Sequence, residues 1–187
     1  IIVGELEEIK AKFSNPRRTK ISGDSTDIED EDLIAHETMV VVMTDTGYIK
    51  RIPLDEYRIQ KRGGKGLKGA ETREEDFVTE IFVADTHTML LFFTNKGKLF
   101  WVKVHRLPLG NRTSKGKAIA NVLSLSNEEK VRAILQVDKF DENRFVVMLT
   151  EKGIIKKTGL DAFSNPRPSG IIALTTDLDD NVIDAKL

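Results

Sequence analysis

Seven consecutive residues, Gln60, Lys61, Arg62, Gly63, Gly64, Lys65 and Gly66, set three cations among three glycines. Glycine removes side-chain bulk, so backbone N–H groups can approach a phosphate closely, and Lys61, Arg62 and Lys65 would supply charge around it. Nothing in the segment offers a group suited to reading bases. An ordinary flexible basic loop would have the same composition, so the segment alone leaves both readings open. Two shorter relatives follow: Arg112, Thr113, Ser114, Lys115 and Gly116, then Arg167, Pro168, Ser169 and Gly170.

Other chemistry finds little support. His36, His87 and His105 are far apart, no His-x-x-x-His occurs and the chain has no cysteine, so no metal site is expected. There is no Gly-x-Ser-x-Gly elbow and no Gly-x-x-x-x-Gly-Lys-[Ser/Thr] phosphate loop. The carboxylate pairs Glu74/Glu75 and Asp179/Asp180 sit in polar stretches and read as solvated rather than as an acid–base couple. No catalytic residue and no cofactor is therefore expected. The lack of cysteine excludes a disulfide scaffold and favours a reducing, intracellular compartment. The longest strictly apolar runs, 39–43, 89–93 and 145–149, fall far short of the roughly 18 residues a membrane span needs.

The formal net charge of −1 conceals a segregation. Residues 48–69 carry seven basic and two acidic side chains, and residues 96–117 carry seven basic and none acidic. Residues 70–95 reverse to a net −5, residues 152–170 return to +3, and residues 171–187 fall to −3. Basic and acidic segments thus alternate with a period. If the chain coils into repeats, the basic segments gather on one rim and offer a polyanion a continuous positive path.

The elements that would position these segments come from a threefold repeat. Residues 39–51, 89–101 and 145–157 share one pattern: an apolar run, a Thr-x-x-Gly turn, then an apolar-and-basic run. The turn glycines, Gly47, Gly97 and Gly153, are 50 and 56 residues apart. Each phrase reads as a β-hairpin whose glycine takes positive φ. The glycine-ended basic segments follow by 19, 19 and 17 residues, and each repeat closes on a strand-like stretch, 77–83, 131–137 or 182–187. This predicts an all-β, propeller-like array of about three four-stranded antiparallel blades, over residues 36–84, 85–138 and 139–187. With 187 residues and 40% hydrophobic content, several small stacked cores are possible. Residues 1–35 differ: Leu6, Ile9 and Phe13 share one face of a short helix that breaks at Pro16, and an acidic connector with Asp24 to Asp32 follows. That connector reads as a solvated linker or as a strip competing with a polyanion for the basic rim. The chain starts without an initiator Met or a signal-peptide pattern and reads as a piece of something longer.

These motifs together resemble the C-terminal, DNA-wrapping domain of bacterial DNA gyrase A. The heptapeptide 60–66 matches that family's gyrase A box, supported by residues 45–54, 90–97, 112–116, 152–158 and 162–167. Residues 5–19 resemble the end of the preceding breakage–reunion domain. The resemblance implies a β-pinwheel whose basic perimeter bends duplex DNA around itself, allowing a cytoplasmic, ATP-driven type II topoisomerase to introduce negative supercoils. It implies DNA contacts at Gln60, Lys61, Arg62, Gly63, Gly64, Lys65 and Gly66. Rim contacts are expected at Lys50, Arg51, Lys103, Arg112, Lys115, Lys156, Lys157 and Arg167. It places ATP, Mg2+, gyrase B and a second copy of gyrase A on parts of the parent outside this chain. The family domain usually has six blades, where this chain shows three. Two other readings are the paralogous C-terminal domain of topoisomerase IV, which steers DNA crossings, and a protein-interaction propeller. The intact box speaks against the first, and the 6% aromatic content with an acid-free basic stretch against the second.

Overall fold

The computed structural model describes residues 2–15, 19, 30–57 and 76–187. They fall into two units, Ile1–Leu33 and Ile34–Leu187, which are taken separately. The first holds helix α1 (Ile2–Phe13), with Glu5 in its first turn and Lys10 and Lys12 in its last, each sign matched to the helix dipole. Its apolar stripe of Leu6, Ile9 and Phe13 is exposed.

The second unit has, among the described residues, eleven strands: β1 (Thr38–Thr44), β2 (Tyr48–Pro53), β3 (Val78–Asp85), β4 (Met89–Thr94), β5 (Lys98–Lys103), β6 (Lys117–Ala118), β7 (Val131–Val137), β8 (Phe145–Thr150), β9 (Ile155–Gly159), β10 (Ile171–Ile172) and β11 (Val182–Lys186). They form three antiparallel sheets with strand orders β3-β1-β2-β6, β10-β5-β4-β7 and β11-β8-β9. The all-β, blade-like architecture expected from the repeats is present, with one correction. A blade is not one repeat. Strand β6 belongs to the second repeat but pairs with β2 of the first (Tyr48↔Ala118, Ile49↔Lys117), and β10 of the third pairs with β5 of the second (Ile171↔Leu99). The third sheet therefore has three strands among the described residues.

Each hairpin is closed in the same way. The glycine amide donates to the carbonyl of the turn threonine, Gly47 to Thr44, Gly97 to Thr94 and Gly153 to Thr150, at 2.9–3.0 Å. The threonine Oγ1 accepts the amide four residues on, from Tyr48, Lys98 or Ile154. All three glycines have the positive φ that the turn requires.

A carboxylate then clamps each turn. Asp76 accepts the amide and hydroxyl of Thr46 at 3.2 and 2.7 Å, Glu129 accepts the Thr94 hydroxyl at 2.7 Å, and Asp180 accepts the amide of Lys152 at 3.0 Å. Asp180 is buried, so the solvated reading of that residue is corrected: it is a structural acceptor.

Side-chain alternation decides the core. Met39, Val41 and Met43 of β1 face Leu90 and Phe92 of β4, forming one cluster between the first and second sheets. Leu91 and Phe93 point the other way, onto Val146 and Met148 of β8. The middle sheet is covered on both faces, which is why β4 reads as a continuous apolar run instead of alternating. The first sheet's other face carries a smaller buried cluster, Val40, Val42 and Ile52 with Tyr57 and Val78 packed against it, and part of each outer sheet is open. Ile81 and Val83 of β3, and Phe145 and Val147 of β8, remain 41–56% exposed.

Candidate nucleic-acid interface

The box residues Gln60, Lys61, Arg62, Gly63, Gly64, Lys65 and Gly66 lie outside the described residues. Their counterpart in the second repeat, 112–116, is described, and there the backbone is already committed. The amides of Thr113 and Ser114 donate to Asn111 Oδ1 at 3.1 and 2.7 Å, and the Ser114 hydroxyl donates to the Asn111 carbonyl at 2.9 Å. These amides are therefore not offered to a phosphate. Gly116 has φ +84°, and a Cβ there would lie 2.5 Å from the Ile49 carbonyl oxygen, so this glycine serves close docking onto β2. Gly170 repeats the contact against Leu99 and the Phe100 ring. What such a loop presents outward is its cationic side chains.

Those side chains sort into different roles. Lys50 does not stand on the rim as expected: it is 3% exposed. Its ammonium donates to the carbonyls of Asn111, Arg112 and Ser114 at 3.1, 3.0 and 2.6 Å. One ammonium has three donors, and three carbonyls at the turn fill them, which makes Lys50 the peg on which the loop is folded. Arg51 is half-buried and its Nε donates to the Leu107 carbonyl at 2.9 Å. Burial pulls its guanidinium below the ordinary arginine value against the attraction of Glu37. Together the two residues bind the connection 107–114 to β2, since the Arg51 amide also donates to Pro108 and the Gly110 amide to Arg51.

The remaining rim candidates are accessible. Arg112 is half-exposed, and its charge favours ionisation of the nearby Tyr57, although burial of that phenol dominates and raises its pKa. Lys115 is exposed with Nζ 3.5 Å above the Tyr48 ring, a cation–π contact across the repeat boundary. Lys156 and Lys157 are exposed on β9, the first donating to the Ala173 carbonyl at 2.7 Å and the second lying 3.9 Å over the Phe145 ring. Arg167 is exposed in the turn closed by the Gly170 amide. Lys103 is half-exposed at the end of β5.

Sheet order separates charge in the first blade. In the first sheet the acidic segment ends on edge strand β3 with Glu80 and Asp85, while Arg112, Lys115 and Lys117 flank or lie on the opposite edge strand β6. In the third, Lys156 and Lys157 make edge strand β9 basic, while the opposite edge strand β11 is neutral, its Asp184 lying 3.4 Å from the Lys186 ammonium. Lys117, exposed on β6, escaped the sequence reading because nothing before folding marks residues 117–118 as an edge strand of the preceding blade. The clamping acids were missed although a signal was there: Asp76, Glu129 and Asp180 follow their turn threonines at variable spacing, but each stands two residues before the valine that opens its closing strand, Val78, Val131 or Val182.

Comparison with known proteins gives the same outline. The family described as DNA gyrase C-terminal domain, beta-propeller, matches residues 38–85, 88–138 and 144–187. The chain is 45% identical over 187 residues to DNA gyrase A of Clostridium acetobutylicum, covering 100% of this chain and 22% of that protein. It is 46% identical over 183 residues to DNA gyrase A of Haemophilus influenzae, covering 98% and 21%. The chain thus spans about a fifth of the length of these curated relatives. Among solved structures it is similar to the C-terminal domain of DNA topoisomerase IV, with a TM-score of 0.70 at 28% identity over 82% of this chain and 46% of that one. It is also similar to a DNA gyrase A C-terminal domain, with a TM-score of 0.60 at 25% identity over 80% and 47%. Three blade repeats, a donated edge strand at each boundary and a family match along nearly all of the second unit converge on one assignment: the chain belongs to the DNA gyrase C-terminal domain, beta-propeller, family.

Proposed function

We propose that this chain binds duplex DNA without sequence preference and bends it along the basic edges of its blades. In that role it lets a parent ATP-dependent type II topoisomerase, acting in the bacterial cytoplasm, introduce negative supercoils. The observation that carries the reading is the basic edge of the first and third sheets, Arg112, Lys115 and Lys117 at β6 and Lys156 and Lys157 on β9, set in the first sheet against the acidic edge strand β3. Phosphate contacts from Lys and Arg supply affinity that falls steeply with salt, each contributing about 0.9 to the log–log slope. Curving a 20–30 bp segment by 40–90° costs on the order of 1–6 kcal/mol, which several such contacts can offset. Contacts are assigned to the box, Gln60 to Gly66, and to Arg112, Lys115, Lys117, Lys156, Lys157 and Arg167. The chemistry of strand cleavage, with ATP and Mg2+, and the contacts to gyrase B and a second copy of gyrase A, belong to parts of the parent outside this chain.

The fold's likeness to the C-terminal domain of DNA topoisomerase IV favours one second reading, in which the basic edge guides a DNA crossing without a full wrap. Topology trapping separates the two. The chain is incubated with nicked plasmid, the nick is ligated, protein is stripped and the linking number is read on a gel. A shift of one sign that grows with protein supports wrapping. Binding without a shift supports crossing guidance, and no binding at low salt overturns both.

A further inference from the structure

All three histidines of the chain meet at one place, although the sequence separates them widely. The His36 and His87 rings stack with centroids 3.9 Å apart, and the His105 ring lies 5.9 Å from that of His87. One carboxylate oxygen reaches both of these rings at their edges: Asp85 Oδ1 is 2.9 Å from His36 Nδ1 and 3.4 Å from His87 Nδ1. We propose that His36, Asp85 and His87 bind a divalent transition-metal ion of the zinc class.

The spacing suits that ion. Zinc bonds to His nitrogen and carboxylate oxygen are roughly 2.0–2.2 Å long, so ligand atoms around a tetrahedral ion stand about 3.3–3.5 Å apart. The donor atoms of the three residues all lie within 4.8 Å of one another. Bringing both imidazole lone pairs onto one point requires turning rings now inclined by only 26°, and His36, with 74% of its side chain exposed, has room to turn. Two imidazoles among three donors favour Zn2+, Ni2+ or Cu2+ over Mg2+ or Ca2+, which prefer all-oxygen shells. Three protein ligands leave a fourth position for water.

The frame around these donors is in place without a metal. The His87 amide donates to Asp85 Oδ1 at 2.9 Å, fixing that oxygen. Buried Thr86 ties the turn to the segment leading into β1: its hydroxyl donates to the Ala35 carbonyl at 2.8 Å, accepts the Glu37 amide at 3.2 Å and lies 3.2 Å from His87 Nδ1, a contact the metal would replace. Its carbonyl takes the His105 amide at 2.8 Å, and His105 Nδ1 lies 3.2 Å from the same oxygen, so His105 supports the turn from outside the ligand set. A bound ion would cross-link the start of the first repeat to the start of the second, 49 residues later.

Isothermal titration of the chain with Zn2+, together with visible absorption of the Co2+-loaded chain, tests this directly and uses no DNA. The expected result is one equivalent of Zn2+ bound and the intense visible bands of four-coordinate Co2+. His36→Gln and Asp85→Asn should each weaken Zn2+ binding by at least about 100-fold, and His105→Gln, which removes only support for the turn, by less than either. Zn2+ should raise the melting temperature of the unsubstituted chain but not of His36→Gln, whose exposed site leaves the fold intact. Binding that survives unchanged in both His36→Gln and Asp85→Asn, a six-coordinate Co2+ spectrum, or no saturable binding would overturn the proposal.

Discussion

The Lys50 ammonium lies 2.6 Å from the carbonyl oxygen of Ser114, a bond that joins β2 of the first repeat to the basic loop of the second. A cation in the middle of a basic stretch is committed to folding the loop whose neighbours carry the outward charge. Lys50→Met should therefore destabilise the chain by about 1–3 kcal/mol, since three carbonyls lose a charged donor. Urea unfolding measures it. If Lys50 were instead a rim contact, stability would stay unchanged and the salt slope of DNA binding would fall by about 0.9.

Gly116 and Gly153 share nearly the same backbone angle, φ +84° and +83°, but differ in surroundings. An added Cβ meets the Ile49 carbonyl at 2.5 Å in the first case and nothing within 4 Å in the second. Gly153→Ala should cost about 1–2 kcal/mol, the penalty of the left-handed region alone. Gly116→Ala should cost about 3 kcal/mol or more, because β6 must also move off β2. Equal losses in a paired thermal or urea comparison would show that β6 is not anchored there.

Acid should loosen the hairpins. Burial pushes the Glu129 carboxyl up, but hydrogen bonds from Ser126 and Thr94 and the charge of Lys98 outweigh it and leave its pKa below the ordinary glutamate value. Asp76 and Asp180 are lowered in the same way, with burial opposed by threonine and amide donors. A depressed folded-state pKa stabilises above the ordinary carboxylate range and is lost as pH drops through the folded value. Melting temperature should be level near neutral pH and decline from about pH 4 downward. In Glu129→Gln, melting should be lower at neutral pH and the acid decline shallower.

Among the exposed cations the expected effects are the reverse of those at Lys50. Lys115→Ala and Lys117→Ala should leave unfolding within about 0.5 kcal/mol of the unsubstituted chain and each reduce the salt slope of DNA binding by about 0.9. The combined Lys61→Ala, Arg62→Ala, Lys65→Ala variant, placed in the parent enzyme, should remove negative supercoiling and spare relaxation. Loss of both activities, or of neither, would contradict the wrapping role.

Much of this was legible beforehand because it is local. The Thr-x-x-Gly turns, their glycine conformations and the continuous apolar run of β4 follow from residue type and spacing. What escaped depends on partners distant in sequence. Lys50 and Lys115 look alike in a chain, and only the donated strand decides that one is buried and the other exposed. Strands β6 and β10, with two residues each, are too short for any periodicity to mark. Asp180 passed for a solvated acid because its acceptor role requires the third hairpin to fold back on it. The histidines looked unrelated because their meeting point is made by the Asp85–Thr88 turn.

The passage of β6 into the first sheet and β10 into the second also bears on how such arrays grow. A duplicated segment cut at the sequence repeat carries a strand for its predecessor and a docking groove for its successor. Copies can thus be inserted or deleted in register without inventing a new boundary, much as tongue-and-groove boards extend a floor. The same joinery makes the first and second sheets each the product of two repeats, so selection on either of those blades is selection on two adjacent stretches of the gene.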